Sequence, residues 1–246
     1  MNDSRLVPTR LDTGAISEAL AAGWRTARLS RRVSFLYAGG VALLGLAILR
    51  ALLGAGLTPL VLLAAGAFML VAPTLLAGFF GIAVAVEQGR IGNFDDLRGG
   101  FRRAHPGILA LSLVCALLFM IFATDVGILY SYKVGGTAIL PREMLRPTEN
   151  VTAVLLWGSI SGVFIGFIVF TITAFSVPLL CERRAGLVGA VSASVRGVFR
   201  NFLVLITWAA VLTLATLLSI LILPLLPFTL PPLAYASHAL YRQVFP

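Results

Sequence analysis

The chain of 246 residues is 59% hydrophobic and 12% charged, with a mean hydropathy of +0.98 and a formal net charge of +9. A soluble domain carries about 25% charged residues, and a core of this size cannot hold so much apolar surface, so the composition excludes an ordinary soluble protein and indicates a membrane protein. The positive charge does not indicate nucleic-acid binding, because arginines beside membrane spans are what membrane topology requires.

The first predicted element is a polar arm, residues 1–32, which lacks the apolar stretch and cleavage site of a signal peptide. Apolar runs that are long enough to cross a bilayer follow it. They cover residues 33–53, 57–86, 107–130, 151–181 and 202–223, and a sixth run, broken by prolines, reaches residue 240. We therefore expect an all-α membrane protein with six transmembrane helices in one integral membrane domain, residues 1–246.

The positions of the basic residues predict the topology. Of the 19 lysines and arginines, 15 lie in the N-terminal arm, in the loops 87–106 and 182–201, and at Arg242. Since cytoplasmic loops carry the excess of basic residues, both termini are expected in the cytoplasm. We expect a multi-pass membrane protein, and the family resemblance described below implies a bacterial inner membrane.

An aromatic residue followed by arginine precedes the first, third and fifth spans. These pairs are Trp24-Arg25, Phe101-Arg102 and Phe199-Arg200. A stripe of large apolar residues with helical spacing leads to each pair, as in Ile16, Leu20 and Trp24. We expect three short amphipathic helices in the membrane interface, with the aromatic rings at headgroup level and the arginines on anionic lipids.

A proline stands late in the second span of each pair, where it predicts a kink. These prolines are Pro73, Pro178 and Pro232. Each unit would then contain an amphipathic helix and a helical hairpin, which predicts three internal repeats at residues 12–90, 91–185 and 186–246. The alternative is a chance similarity of apolar segments.

Two sets of residues within the spans suggest contacts. Gly158, Gly162 and Gly166 form a GxxxGxxxG pattern that allows close helix packing, either within the chain or against a partner's helix. Arg50 and Asp125 are expected at similar depth near the outer edge of the hydrocarbon. They would either form an intramembrane ion pair or each reach separately into the headgroups.

No residue pattern indicates catalysis, a metal or another cofactor. His105 and His238 are the only histidines, and no catalytic motif or cysteine spacing typical of metal sites is present. His238 is expected to be a helix-end residue, and Glu87 and Glu182 charged helix ends near arginines. We therefore expect a protein that is not an enzyme and binds no cofactor.

Several stretches carry a resemblance to a known family. They are "ISEALAAGWRTARLSRRVSFLYAG", "VAPTLLAGFFGIAVAVEQG", "FDDLRGGFRRAHPGILAL", "FSVPLLCERR" and "SHALYR". Together they resemble, over residues 8–243, an uncharacterised family of bacterial six-span integral membrane proteins, some of them labelled putative cytochrome c oxidase subunits. Because this chain lacks the clustered histidines of oxidase subunits, the resemblance implies an accessory protein and not a redox subunit.

The favoured function is therefore that of an accessory, assembly or interaction partner of another inner-membrane complex, possibly a respiratory oxidase. The alternative is a small-molecule or lipid transporter or channel with a path between the hairpins. Expected partners are the bilayer with its anionic lipids and other membrane proteins, with no nucleic acid among them.

Overall fold

A computed structural model describes residues 6–12, 14–55, 60–135 and 148–246, and these residues form helices without any strand. In chain order the helices are α1 (Ala15–Leu29), α2 (Arg31–Gly54), α3 (Leu60–Glu87), α4 (Phe94–Arg103), α5 (Gly107–Val134), α6 (Glu149–Thr173), α7 (Ser176–Cys181), α8 (Leu187–Arg200), α9 (Phe202–Leu221) and α10 (Leu226–Val244). A short 3₁₀ turn, Leu223–Leu225, joins α9 to α10. The predicted all-α fold is confirmed.

Four helical segments within the described ranges are long and apolar enough to cross a membrane. They are Arg31–Gly54, Gly107–Lys133, Glu149–Cys181 and Phe202–Ser219, and a shorter apolar segment covers Val71–Glu87. Large apolar side chains on these helices face outward, among them Leu43, Leu109, Val163 and Leu203. Such a surface suits contact with lipid chains and not with water.

The protein core lies where α3, α7 and α10 meet, the three helices that contain the late prolines. Phe79 of α3, Leu179 of α7 and Tyr235 of α10 are among its largest fully buried side chains. The rings of Phe79 and Tyr235 meet edge to face, with centroids 5.8 Å apart. The three helices that contain the late prolines are therefore the ones that pack together in the core.

Each amphipathic helix packs on one of these proline-containing segments. Helix α1 lies along α10, α4 along α3, and α8 against α6 and α7. The contact faces include small residues, which let the backbones approach closely. They include Ala15, Ala19 and Gly23 on α1, Gly100 on α4, and Ala190, Ser194 and Gly197 on α8.

The large apolar stripe of α1 does not form this contact. Ile16 is half-buried, and Leu20 and Trp24 are exposed, because the neighbouring small-residue face takes the place against α10. The backbones are so close that a Cβ atom at Gly23 would lie 2.4 Å from the Pro232 carbonyl oxygen. The larger side chains are therefore left to face the surroundings of the protein.

The three late prolines differ in their effect on the helix. Helices α3 and α10 continue through Pro73 and Pro232. The span that contains Pro178 is interrupted at residues 174–175, because proline has no N–H group and its ring displaces the carbonyl of residue i−4, which is Ala174. Ser194 of α8 fills this break: its hydroxyl accepts from the Phe175 N–H at 3.1 Å and donates to the Thr171 carbonyl at 2.7 Å.

Replacing Ser194 by alanine is expected to lower the free energy of unfolding by about 1–3 kcal/mol, because it leaves two buried backbone groups without partners. Ser194 is fully buried, whereas Ser192 on the same helix is exposed. Thermal unfolding in detergent, followed by circular dichroism, should show a lower midpoint for Ser194→Ala and an unchanged midpoint for Ser192→Ala. Equal midpoints for both variants would show that the hydroxyl does not support the break.

Candidate functional site

Two glutamates stand where helices of the core end. Helix α3 ends at Glu87, and Gly89 adopts φ +75°, which lets the Arg90 N–H bond back to the Ala85 carbonyl. Glu182 directly follows α7, and Arg183 adopts φ +54° in the position that glycine usually takes. Both carboxylates therefore lie next to the C-terminal part of α10.

A buried histidine lies between these carboxylates. The side chain of His238 is 2% exposed; its Nε2 lies 2.9 Å from Glu182 Oε1 and its Nδ1 lies 3.3 Å from Glu87 Oε1. A neutral imidazole can donate from only one nitrogen. The protonated form therefore suits this arrangement best, since it donates to both glutamates.

The neighbouring residues of α10 complete a group that we call the charged cluster: Glu87, Glu182, His238, Tyr241 and Arg242. Arg242 Nη2 lies 3.0 Å from Glu87 Oε2 and 3.1 Å from Glu182 Oε1. The Tyr241 hydroxyl donates to Glu182 Oε2 at 3.1 Å. With His238 protonated, two positive charges balance two negative charges, which is what a partly buried set of ions requires.

Glu182 shows how the surroundings control ionisation. Burial by itself raises the pKa of its carboxyl group, but hydrogen bonding to His238 and Tyr241 and the positive charges of His238 and Arg242 outweigh burial. The pKa of Glu182 is therefore lowered, and its carboxylate stays ionised at neutral pH.

A pocket of about 270 Å³ opens beside the charged cluster. Glu182, Arg103, Arg183 and Arg242 line it, together with apolar residues of α3. The two acids of the cluster already bind His238 and Arg242, and Tyr241 donates to one of them. The arrangement therefore acts first as an ionic link between α3, α7 and α10.

The predicted glycine pattern lies partly at a contact inside the chain. A Cβ atom at Gly158 would lie 3.5 Å from Val126, and one at Gly162 would lie 3.3 Å from Phe122, both on α5. No described atom lies within 4 Å of a Cβ at Gly166. Helix α5 thus covers two of the three glycines.

Asp125 and Arg50 do not form the predicted ion pair. The Asp125 carboxylate accepts from Trp157 Nε1 at 3.0 Å and from the Ser161 hydroxyl at 2.9 Å. Both donors are on α6, because α5 packs along that helix. Arg50 is exposed and makes no salt bridge within the described ranges.

The predicted interfacial anchors are not equivalent. Trp24 and Phe199 are 55% and 58% exposed, and Arg25, Arg102 and Arg200 are exposed as well. Phe101 is half-buried, with its ring centroid 6.2 Å from that of Tyr37. Because α4 brings Phe101 to the contact between α2 and α3, this aromatic packs within the protein.

Sequence reasoning treated His238, Glu87 and Glu182 as separate helix-end residues. Two features of the sequence indicate that these residues could belong to one site. Glu87 and Glu182 both follow a late proline at the end of a long apolar run, and His238 and Arg242 are four residues apart and so share one helix face. Only the packing of the three helices shows that these residues meet.

Comparison with protein families gives one match. Residues 60–182 match a family described as "Predicted integral membrane protein (DUF2189)", and this segment is half of the chain. The chain belongs to this family. The DUF2189 description names a membrane family, as the resemblance implied, and mentions neither bacteria nor an oxidase. The matched segment ends at Glu182, so it includes both glutamates of the charged cluster. No match was found among curated proteins or among solved structures.

Proposed function

We propose that the protein is a non-enzymatic integral membrane protein that binds another membrane protein through its lipid-facing helices. The observation that carries this proposal is the exposure of the second half of α2. None of its residues after Ala38 is buried, although the helix continues to Gly54. A membrane helix with so few buried residues offers a face to a second protein.

The glycines of α2 support the same interpretation. No described atom lies within 4 Å of a Cβ at Gly39, Gly40 or Gly45. Glycine inside a helix costs about 1 kcal/mol relative to alanine, and in membranes small residues repay this cost by letting another helix approach. Leu36 and Leu44 lie one turn before and after Gly40, and both are exposed.

The proposal includes the wider topology. We propose six crossings in three repeated hairpins, with α3 and α10 as the two further crossings and both termini in the cytoplasm. The packing of one amphipathic helix on each proline-containing segment supports it. On the resemblance to proteins labelled as oxidase subunits, a respiratory oxidase of a bacterial inner membrane is the first partner to examine.

Photo-crosslinking in native membranes tests the partner face. A crosslinking amino acid at Leu44 of α2 should yield one defined protein adduct, which Gly40→Leu abolishes by blocking the close approach. The same probe at Leu214 of α9, which is also exposed, serves as the control and should not yield that adduct. Lipid adducts alone at both positions would contradict the proposal.

Transport of an apolar molecule is the second candidate. A cavity of about 240 Å³ lies among α3, α6, α7 and α9, and its lining is mostly apolar, including Pro73, Pro178, Phe80 and Trp208. Such a lining suits an apolar solute or a lipid chain and not an ion. Trp208 fluorescence that is quenched by a brominated alkane would show that the cavity takes such molecules, and no quenching would remove the candidate.

A further inference from the structure

An open groove lies beside the junction of α1 and α2. The last turn of α1, the first turns of α2 and the first turns of α10 form its walls, and its volume is about 730 Å³. We call it the α1–α2 groove. Arg28, Arg31 and Arg32 lie on its rim, and Phe35, Leu36 and Phe228 line it.

The three arginines of the groove lack acidic partners. Arg28, Arg31 and Arg32 make no salt bridge within the described ranges, and all three are exposed. The Arg28 guanidinium lies 5.9 Å from the ring centroid of Trp24, so it is oriented by a cation–π contact and stays available on its other side. Three positive charges within five residues therefore remain without an acidic partner among the described residues.

The start of α2 adds to this demand for negative charge. No acidic residue lies in its first turn, and no side chain caps its N–H groups. The preceding residue, Ser30, instead accepts from the backbone N–H of Gly92 at 3.2 Å. The start of α2 therefore contributes no negative charge of its own that could offset Arg31 and Arg32.

The wall of the groove is apolar and reaches along the membrane span. The rings of Phe35 and Phe228 have centroids 4.9 Å apart, and both side chains are exposed, Phe228 at 61%. Phe35 lies one turn beyond Arg31 in a helix that is apolar enough to cross a membrane. The groove therefore passes from a cationic rim to an apolar wall in the direction of the hydrocarbon.

We propose that the α1–α2 groove binds one anionic phospholipid, with its phosphate against Arg28, Arg31 and Arg32 and an acyl chain against Phe35 and Phe228. A phospholipid is the occupant that combines a phosphate with a long apolar chain at this depth. A bound lipid would also join α1 and α10 to the start of α2. This inference is independent of the proposed protein partner, because purified protein is enough to test it.

Native mass spectrometry of the purified protein in detergent provides the test. Phosphatidylglycerol should be retained as a single bound molecule, with an affinity about tenfold or more above that of phosphatidylcholine with the same chains. The triple variant Arg28→Gln, Arg31→Gln, Arg32→Gln should lose this preference. The matched control is Arg102→Gln, Arg196→Gln, Arg200→Gln, which removes the same charge from exposed positions outside the groove and should keep the preference.

A second experiment tests the apolar wall of the groove separately. Phe228→Asn should weaken the binding of phosphatidylglycerol while leaving the folded protein intact, because this ring is largely exposed. Inorganic phosphate and glycerol phosphate should fail to displace the lipid. Equal loss in the two arginine triples, equal binding of phosphatidylcholine, or displacement by phosphate or by an acidic peptide would each overturn the proposal.

Discussion

Gly100→Ala is expected to destabilise the protein by about 3 kcal/mol, although it adds a single methyl group. The new Cβ atom would lie 2.1 Å from the Ala77 carbonyl oxygen and 3.1 Å from the Gly81 Cα atom. Both are backbone atoms of α3, so relief of the clash requires α4 to move away from α3. Thermal unfolding in detergent, or unfolding by a denaturing detergent, would measure the loss.

Gly99 is the matched control for this substitution, since it is the preceding residue of the same helix. A Cβ atom at Gly99 would first meet Arg103 Nη2 at 3.0 Å, which is the far end of a flexible side chain. Gly99→Ala should therefore be neutral or stabilising by up to about 1 kcal/mol, because alanine favours the helix. If both substitutions had the same effect, the close contact of α4 with α3 would be refuted.

Glu182→Ala is expected to cost about 3–5 kcal/mol, the usual effect of removing one partner from a buried ionic group. His238 and Arg242 would lose their shared carboxylate, and Tyr241 would lose its acceptor. Asp95→Ala removes an acid that is exposed and 4.0 Å from Arg98, so it should cost at most about 1 kcal/mol. Comparable losses in the two variants would mean that the charged cluster does not hold the three helices together.

The lowered pKa of Glu182 predicts how stability changes with pH. A carboxyl group whose pKa is lower in the folded protein contributes stability above its unfolded pKa of about 4.3, and this contribution is lost as the pH falls through the folded pKa. The unfolding midpoint of the natural protein should therefore decrease below about pH 4. Glu182→Gln should show a flatter acid limb, and an identical limb would contradict the prediction.

The membrane class and the position of most helices could be predicted from local patterns. Apolar runs predicted α2, α5, α6 and α9. At the start of α4, the side chain of Asn93 accepts from the Asp96 N–H at 2.9 Å, a cap made by residues three positions apart. The kink predicted at Pro178 coincides with a break in that span, although the same missing N–H group leaves α3 and α10 continuous at Pro73 and Pro232. These features depend on residues that are close in sequence.

The helix faces that make contacts, and the residues that bind one another, were harder to predict. The large apolar stripe of α1 indicated an amphipathic helix, but it did not indicate that Ala15, Ala19 and Gly23 on a neighbouring face would form the contact with α10. In water, large apolar residues turn inward, but in lipid they gain little by doing so, and small residues decide where backbones meet. Asp125 likewise binds Trp157 and Ser161 because α6 is its neighbour. The predicted depth of Asp125 in the membrane does not identify which helix lies beside it.

The amino-acid sequence by itself determined that this is an all-helical membrane protein with arginines concentrated in its arm and in two loops, because hydropathy and charge act locally along a chain. Tertiary structure alone decided that Glu87, Glu182 and His238 meet, since they are up to 151 positions apart and lie in or directly after three different helices. It also decided that the groove beside Arg31 opens toward Phe228. A site between helices depends on their packing, and in a membrane that packing is set by close backbone contacts at a few small residues.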